Sequence, residues 1–510
     1  MLAELSTLVL TGIEAKTVKV EVDIQNGLPN FDLVGLAQAA LRESRERVRS
    51  AIKNSGFKFP NRKIIVNLAP ADIKKEGSHF DLAIALGILI ASGQVQNKVP
   101  GDCFFAGELS LDGSLRAVPG ILPMALEILR TNSDSFFLIP MENSKEAGLV
   151  NEIHSLAAAS LGEVCRFLQQ EQELALVKAT EYQHKSSGDS IPDFSDVKGQ
   201  EMAKRGLQVA AAGLHNLLLI GPPGGGKTML ARRVPGIMPE MSREEVLETT
   251  RIYSVANLLN ADYPLVDVRP FRAPHKNASS ASVIGGGRIP RPGEISLAQN
   301  GVLFLDEFPE FNRDLLEALR QPLEDKVVTV ARAQATHTYP ANFGLIASMN
   351  PCPCGFYGSD VECKCTPLQI QKYLGRISGP LLDRMDLQVE VARVNFEQLR
   401  DQRNGESSAS MREKVTLARA IQKKRFAKHK INLNSQMRPV DVKRYCRLDE
   451  DSEMLLKNVF DRLSMSARAH DRILKVARTI ADLDNSENIK IQHLGEALQY
   501  RSLDRKYWKS

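Results

Sequence analysis

A glycine-rich segment between an apolar run and a helical pattern limits the folds open to this chain more than any other feature. The apolar run is Leu217 to Ile220, and the segment after it, G-P-P-G-G-G-K-T, matches the phosphate-binding pattern G-x-x-x-x-G-K-[ST]. Such glycines let backbone N–H groups curl around phosphate oxygens, and the following helix points its N-terminus at them. The sequence therefore predicts an α/β nucleotide-binding domain. The residues predicted to bind the nucleotide are Gly221, Pro222, Pro223, Gly224, Gly225, Gly226, Lys227, Thr228 and Met229.

A second apolar run, which ends in two adjacent carboxylates, predicts the hydrolytic part of the site. The run G-V-L-F-L precedes Asp306 and Glu307. Buried strands rarely end in adjacent acids unless a cation offsets their charge. We therefore expect Thr228 and Asp306 to hold Mg²⁺, with Asp306 acting through water, and Glu307 to polarise the attacking water. Lys227 should neutralise the β- and γ-phosphates of ATP.

A third run, G-L-I-A-S-M, ends at Asn350, whose amide can hydrogen-bond the attacking water or the γ-phosphate. The alternative is that Asn350 only forms the turn before Pro351. Two arginines, Arg384 and Arg468, are candidates for stabilising charge on the transferred phosphoryl group, one of them from a neighbouring subunit.

Composition and the amino terminus narrow the class of protein. The 510 residues carry a net charge of +5, a small excess that favours anionic partners without identifying nucleic acid. The amino terminus lacks a signal-peptide pattern, and the longest apolar stretch, Leu82 to Ala91, is about half the length that spans a bilayer. Seven cysteines, four of them close together, favour a reducing compartment over a disulfide framework. We therefore expect a cytoplasmic protein without a membrane segment.

The pattern of apolar runs predicts an α/β fold class in four parts. Residues 1–170 alternate strand-like and helical runs, which predicts an α+β domain, and the polar residues 171–192 are typical of a linker. Strand–helix alternation over 193–394 predicts the α/β ATPase core. Helical periodicity over 395–510 predicts a helical lid.

Four cysteines predict a metal site. Cys352, Cys354, Cys363 and Cys365 offer four thiolates within 14 residues, a soft closed set suited to structural Zn²⁺. The C-x-C spacing is tighter than the usual one, and the alternative is four reduced cysteines in a loop. A bound zinc would stiffen the segment that follows Asn350.

Basic residues in two segments are candidates for contacts with DNA phosphates. One segment is the glycine- and proline-rich insert 269–291, and the other is the run K-V-V-T-V-A-R, expected to form a hairpin. In an assembly of several subunits, copies of such loops would multiply a modest charge into a phosphate track, whereas the alternative is that these side chains are only solvated. The candidates are Arg272, His275, Lys276, Arg288, Lys326 and Arg332.

The motifs together resemble a known family. The segments G-P-P-G-G-G-K-T, P-F-R-A-P-H-K-N-A-S-S, S-M-N-P-C-P-C-G and G-R-I-S-G-P-L-L-D-R-M-D-L are similar to those of the magnesium-chelatase-like AAA+ proteins, and nearly the whole chain resembles their bacterial competence branch. The resemblance implies the helix-2-insert branch of AAA+ ATPases and a homohexameric ring. It also implies an arginine finger at Arg384 that acts in trans and a sensor arginine at Arg468, with Arg376 and Arg472 as the nearest rivals.

The first part of the chain resembles the Lon-protease-like fold, through segments such as K-K-E-G-S-H-F-D-L-A-I-A-L and G-E-L-S-L-D-G-S-L-R. Lon-type chemistry needs a serine nucleophile and a lysine that activates it. The nucleophile position falls on or beside His79, the lysine position falls near Leu122, and Ser78 is one residue out of register. The resemblance therefore implies a protease fold that lacks its catalytic pair and is retained as a scaffold.

The resemblance implies a DNA motor that uses ATP and Mg²⁺, with zinc as a structural ion. Helicase action or branch migration on single-stranded or branched DNA, during recombination in natural transformation, is the expected activity, with recombination proteins as candidate partners. A chelatase-type ATPase that remodels a protein stays an alternative, against which the Lon-like part and the cysteine loop stand. An ATP-dependent protease is disfavoured by the missing serine–lysine pair.

Overall fold

The structure is a computed structural model of the full chain. It describes residues 2–34, 39–73, 75, 77–99, 101–180, 191–287, 291–332, 335–393, 405–429, 431–463 and 466–508, with the backbone alone for 39–42, 331, 332, 335, 462, 463, 504 and 505. Internal contacts divide the chain into unit 1, Met1–His184 with Val246–Val266, and unit 2, Lys185–Glu245 with Asp267–Ser510. The four-part division expected from the sequence is finer and stays a prediction.

Unit 1 is built on a mixed β-sheet. Its strands are β1 (Leu2–Thr11), β2 (Glu14–Gln25), β3 (Asn30–Val34), β4 (Lys63–Ala69), β5 (Cys103–Phe105), β6 (Glu108–Leu109), β7 (Leu115–Arg116), β8 (Phe136–Pro140) and β9 (His154–Ala158). The seven-stranded sheet has the order β3-β4-β2-β1-β5-β8-β9, and β6 pairs with β7 alone. The pairs β1–β2 and β2–β4 are antiparallel. The pairs β3–β4, β1–β5, β5–β8 and β8–β9 are parallel.

One buried helix forms the centre of unit 1. The helices are α1 (Ala39–Asn54), α2 (Asp81–Ala91), α3 (Ile121–Thr131), α4 (Ser144–Ala147) and α5 (Leu161–Leu168). The longest apolar stretch of the sequence is α2, which is buried along almost its whole length and packs on β1 and β2. A helix that is apolar on every side is stable only when protein surrounds it. At Gly87 a Cβ atom would lie 2.5 Å from Cγ2 of Val22, so the absence of a side chain permits this packing.

A later segment of the chain also belongs to unit 1. The helix α9 (Arg243–Val255) begins just before the segment Val246–Val266 and continues into it. Within unit 1, the buried carboxylate of Glu146 accepts a hydrogen bond from the Ser254 hydroxyl at 2.5 Å and from the backbone N–H of Leu122 at 2.8 Å. Burial raises the pKa of Glu146, and these hydrogen bonds oppose that rise.

Unit 2 contains a five-stranded parallel sheet. Its strands are β10 (Leu217–Ile220), β11 (Phe271–Arg272), β14 (Val302–Leu305), β17 (Gly344–Met349) and β18 (Leu387–Glu390). Their order is β11-β14-β17-β10-β18, with every neighbouring pair parallel. Every residue of β10, β14 and β17 is buried, and burial on both faces explains why these strands are continuous apolar runs in the sequence.

Two further strand pairs of unit 2 are antiparallel. They are β12 (Gly285–Gly286) with β13 (Arg291–Pro292), and β15 (Val327–Arg332) with β16 (Ala335–Pro340). The hairpin expected at the run K-V-V-T-V-A-R is therefore present.

Helices make up the rest of unit 2. They are α6 (Glu201–Gly213), α7 (Lys227–Arg232), α8 (Val234–Ile237), α10 (Ser280–Ile284), α11 (Glu294–Leu297), α12 (Arg313–Ala318), α13 (Arg320–Asp325), α14 (Pro367–Leu374), α15 (Gly379–Leu382), α16 (Ser408–Arg425), α17 (Pro439–Tyr445), α18 (Glu450–Leu463), α19 (Ala467–Leu483), α20 (Ile491–Gln499) and α21 (Leu503–Tyr507). The helix α16 packs on α6, α8 and α19. Among the described residues, every helix is too short or too polar to cross a membrane.

Candidate nucleotide and metal sites

Three strands of the unit 2 sheet end at the same edge, and a polar group follows each of them. The strands β14, β17 and β10 are parallel neighbours, with Ile220 paired to Met349. Ligands of parallel sheets bind at the carboxyl ends of the strands. The pairing therefore brings the phosphate loop after β10 close to Asp306 after β14 and to Asn350 after β17.

The phosphate loop depends on three glycines. Gly224 and Gly226 have φ angles of +77° and +87°, in the left-handed region that residues with a side chain avoid. At Gly221 the constraint is space, because a Cβ atom there would lie 2.1 Å from the carbonyl oxygen of Val391. The helix α7 begins at Lys227, directly after the loop.

Lys227 is almost fully buried, and its ammonium group is held inside the loop. Its Nζ donates to the carbonyl oxygens of Gly221 at 2.7 Å and Pro222 at 2.9 Å, and to Oδ1 of Asn350 at 3.1 Å. Burial lowers the pKa of Lys227, and the carboxylates after β14 oppose that effect. A buried ammonium group whose partners among the described residues are neutral oxygens is stabilised by an incoming anion such as a phosphate.

Thr228 and Asp306 lie together as the expected Mg²⁺ ligands should. The Thr228 Oγ1 atom is 2.7 Å from Oδ2 of Asp306, and the other carboxylate oxygen accepts a hydrogen bond from the Ser348 hydroxyl. A hydroxyl beside a carboxylate is the protein ligand set of Mg²⁺ in phosphate-loop proteins, so these residues fit the ion. Ser348 was missed in the sequence, although a single serine inside an otherwise apolar buried strand is a signal that identifies it.

Glu307, the candidate for polarising water, is paired with a residue of the insert. The Nζ atom of Lys276 lies 2.5 Å from Oε2 of Glu307, and both side chains are partly exposed. The hydrogen bond to Glu307 raises the pKa of Lys276. Glu307 itself has a φ of +52°, a backbone strain that recurs at functional sites.

The four cysteines of the candidate zinc site form one cluster. The Sγ atoms of Cys352, Cys354, Cys363 and Cys365 all lie within 4.8 Å of one another. Three of the Sγ–Sγ separations are 3.3, 3.6 and 3.7 Å, whereas tetrahedral zinc with bonds of about 2.3 Å places its sulfurs about 3.8 Å apart. The backbone N–H of Gly355 donates to Sγ of Cys352 at 3.2 Å, as outer contacts to thiolate ligands do. The residues present therefore fit a Zn²⁺ ion.

The candidate arginines Arg384 and Arg468 line one cavity of unit 2, of about 660 Å³, together with the rival Arg472. Arg384 is buried, and its guanidinium group lies 2.6 Å from a carboxylate oxygen of Glu324 and bonds the carbonyl oxygen of Pro380 at 2.7 Å. The described lining contains no residue of the phosphate loop.

The other rival for the finger role, Arg376, lies elsewhere. It is exposed and pairs at 2.7 Å with Glu310, the last residue of the short turn Phe308–Glu310 that follows Glu307.

The candidate DNA-contacting residues of the insert differ in their surroundings. Arg272 donates two hydrogen bonds to the carboxylate of Glu294, at 2.6 and 2.7 Å. His275 is exposed and accepts the backbone N–H of Asn277 at 3.2 Å. Lys276 contacts the nucleotide site as described above. Arg288 lies outside the described residues.

The two candidates at the β15–β16 hairpin lie at opposite ends of its first strand. Lys326, with a φ of +57°, precedes β15 and lines the same cavity as Arg384. Arg332 ends the strand, and its side chain lies outside the described part of the structure.

In unit 1 the positions expected for a protease dyad are buried. Burial lowers the pKa of His79 to about 4. Leu122 is buried in the core, and the Ser78 hydroxyl donates to the carboxylate of Glu108. These positions, all within the described residues, offer no serine–lysine pair.

Three family models match consecutive parts of the chain. Residues 20–143 match the subunit ChlI of Mg-chelatase, residues 193–399 match magnesium chelatase subunit ChlI, and residues 405–501 match the C-terminal part of that subunit.

Curated relatives match the chain over almost its full length. The competence protein ComM of Haemophilus influenzae is 46% identical over 500 residues, which cover 97% of this chain and 96% of that protein. The uncharacterized protein YifB of Escherichia coli is 46% identical over 495 residues, with the same shares. Lon protease 2 of Bacillus subtilis is similar over a shorter stretch, 29% identical over 145 residues, or 26% of each chain.

Proposed function

Because the chain belongs to the ComM/YifB family of magnesium-chelatase-like AAA+ proteins, we propose that it is an ATP-driven motor acting on single-stranded or branched DNA. The observation that supports the ATP-driven part of the proposal is the meeting of Lys227, the Thr228–Asp306 pair and Asn350 at one edge of a parallel sheet. One relative is named a competence protein, which supports a role in the recombination of transforming DNA.

Each residue of the site has a distinct task in hydrolysis. The ammonium group of Lys227 neutralises the β- and γ-phosphates, which replace its present carbonyl partners. Thr228 and Asp306 would hold Mg²⁺, which would supply positive charge that stabilises the phosphate groups. Glu307 orients the attacking water and accepts its proton, and Asn350 donates its amide hydrogen to the γ-phosphate.

A second subunit completes the site in this proposal. Arg384 lines a cavity whose described walls exclude the phosphate loop, which supports its action as a finger on the nucleotide of a neighbouring chain, with Arg468 as the sensor arginine. Such a head-to-tail arrangement closes into a ring, and we propose a homohexamer. Zn²⁺ at the four cysteines is a structural ion in this assembly.

The ATPase rate of the full chain tests the proposal. The rate is measured without DNA, with single strands, with forked DNA and with a Holliday junction, and Glu307→Gln serves as the inactive control. Stimulation by single-stranded or branched DNA that disappears in the control supports the DNA motor. An active ATPase that responds to none of these DNAs contradicts it and favours a chelatase-type motor that remodels a protein.

A further inference from the structure

The four-cysteine cluster contacts the phosphate loop at one residue. Gly355, which follows Cys354, is buried and has a φ of +87°. A Cβ atom on Gly355 would lie 2.5 Å from Cδ and 3.2 Å from Cγ of Pro223. Only a residue without a side chain therefore lets the cysteine loop approach Pro223, the exposed residue at the tip of the phosphate loop, this closely.

The position of Gly355 depends on the cysteine sulfurs. Its backbone N–H lies 3.2 Å from Sγ and 3.0 Å from the carbonyl oxygen of Cys352. The neighbouring N–H of Cys354 donates to Sγ of Cys365 at 3.4 Å. An ion that holds these sulfurs in one geometry thus holds the backbone that touches Pro223.

A second connection joins the cluster to the catalytic lysine. Asn350 precedes Cys352 by two residues, and its Oδ1 accepts a hydrogen bond from Nζ of Lys227 at 3.1 Å. On the adjoining strand, the N–H of Gly221 donates to the carbonyl oxygen of Met349 at 3.2 Å. The segment 349–355 therefore contacts the phosphate loop at its beginning, its tip and its lysine.

We propose that Zn²⁺ at the four cysteines and nucleotide at the phosphate loop bind cooperatively, with the Gly355–Pro223 contact as the link between the two sites. Zinc holds Gly355 against Pro223 and so keeps the phosphate loop in the shape that binds nucleotide. The coupling is reciprocal, because a ligand that stabilises one arrangement of the loop raises the affinity for any other ligand that binds the same arrangement. The inference rests on the nucleotide-binding part of the proposed function and is independent of DNA.

Two binding measurements on the full chain test this coupling without any turnover. The first is the dissociation constant of a fluorescent ADP for the zinc-loaded chain and for the chain stripped by a chelator. The second is the rate at which Zn²⁺ passes from the chain to a coloured chelator, with and without saturating ADP. We expect ADP to bind roughly 5- to 50-fold more weakly to the stripped chain, and ADP to slow zinc release.

A matched pair of glycine variants distinguishes the effect of losing the Gly355–Pro223 contact from the effect of backbone strain. Gly355→Ala should keep its zinc, bind ADP more weakly and release zinc at a rate that ADP no longer changes. Gly358→Ala is the control, since Gly358 has a φ of +75° in the same loop, while its Cβ would meet only Lys506, at 3.5 Å. This control should behave as the unchanged chain does.

Three outcomes overturn the proposal. One is zinc release from the unchanged chain that is equally fast with and without ADP. Another is an equal loss of affinity for ADP in the two glycine variants, which would attribute the effect to backbone strain. The third is a chain that binds ADP but holds no zinc. A chain that binds zinc but no ADP contradicts the proposed nucleotide site instead, so the two failures are distinguishable.

Discussion

The Nζ atom of Lys276 lies 2.5 Å from a carboxylate oxygen of Glu307 and connects the insert with the residue proposed to activate water. Lys276 follows β11, whereas Glu307 follows β14, and 38% of the first side chain and 51% of the second are exposed. Exposed ion pairs contribute little to stability, so a competing anion can separate this one. On the proposed function, the insert therefore restrains the carboxylate of Glu307 until an anion binds Lys276.

Replacing Lys276 by methionine should raise the ATPase rate in the absence of DNA. Without the ammonium group, Glu307 is free to accept the proton of water, and we expect a rise of roughly two- to five-fold, the range of an exposed pair. Steady-state phosphate release measures it. Lys276→Arg keeps the charge and should stay near the unchanged rate. A slower Lys276→Met variant would mean that Lys276 assists hydrolysis.

Asn350→Ala should slow hydrolysis more than it weakens nucleotide binding. The change removes an acceptor of the Lys227 ammonium group and a donor to the γ-phosphate, and we expect the turnover number to fall roughly 10- to 100-fold. The affinity for ADP, which lacks the γ-phosphate, should change little. If turnover stays unchanged, Asn350 serves only as the turn residue before Pro351.

Two inactive variants should restore activity when they are mixed, if Arg384 acts on the nucleotide of its neighbour. The Lys227→Ala subunit lacks a working phosphate loop, and the Arg384→Ala subunit lacks the finger. ATP is therefore hydrolysed only at interfaces where an Arg384→Ala subunit supplies the phosphate loop and a Lys227→Ala subunit supplies the arginine. Random assembly of equal amounts forms such interfaces about a quarter of the time.

The control for mixing is Lys227→Ala with Glu307→Gln. Both changes affect the same half of the interface, so this mixture should remain inactive. Activity from neither mixture would contradict an arginine finger at Arg384.

Acid should destabilise unit 1 through His79. Burial lowers the pKa of this imidazole from 6.5 to about 4. Between these values the unfolded chain binds a proton that the folded chain does not, so stability is present above pH 6.5 and is lost as the pH falls towards 4. From pH 6.5 to 5 the loss is about 2 kcal/mol.

Calorimetry of the full chain checks this prediction. Since about 1 kcal/mol shifts the melting temperature of a domain of this size by ~3 °C, His79→Phe should lose about 6 °C less than the unchanged chain between pH 6.5 and 5. If the melting temperatures of the two proteins fall equally between pH 6.5 and 5, His79 is excluded as the source of the acid destabilisation.

The grouping of the candidate nucleotide-site residues could be predicted because each one directly follows its own strand. Gly221, Asp306 and Asn350 come after apolar runs, and adjacent parallel strands bring such ends together. The spacing of the cysteines likewise predicts their cluster, which the structure contains.

Contacts between distant segments could not be predicted in the same way. In the sequence, Lys276 lies in an insert whose composition is typical of a solvated or DNA-contacting lysine. Only the path of the insert in the folded chain brings it to Glu307. Gly355 is visible as a glycine after a cysteine, but its neighbour Pro223 depends on how two loops meet. Such contacts follow from tertiary packing, which local patterns do not encode.

The segment Val246–Val266 makes unit 1 discontinuous in the sequence. A truncated protein that begins at Asp193 keeps this segment but loses Glu146, the acceptor of the Ser254 hydroxyl. The two units therefore alternate along the sequence. Swapping unit 1 between relatives requires three junctions in the gene, after His184, Glu245 and Val266, and a single cut at the linker separates Val246–Val266 from the rest of its unit.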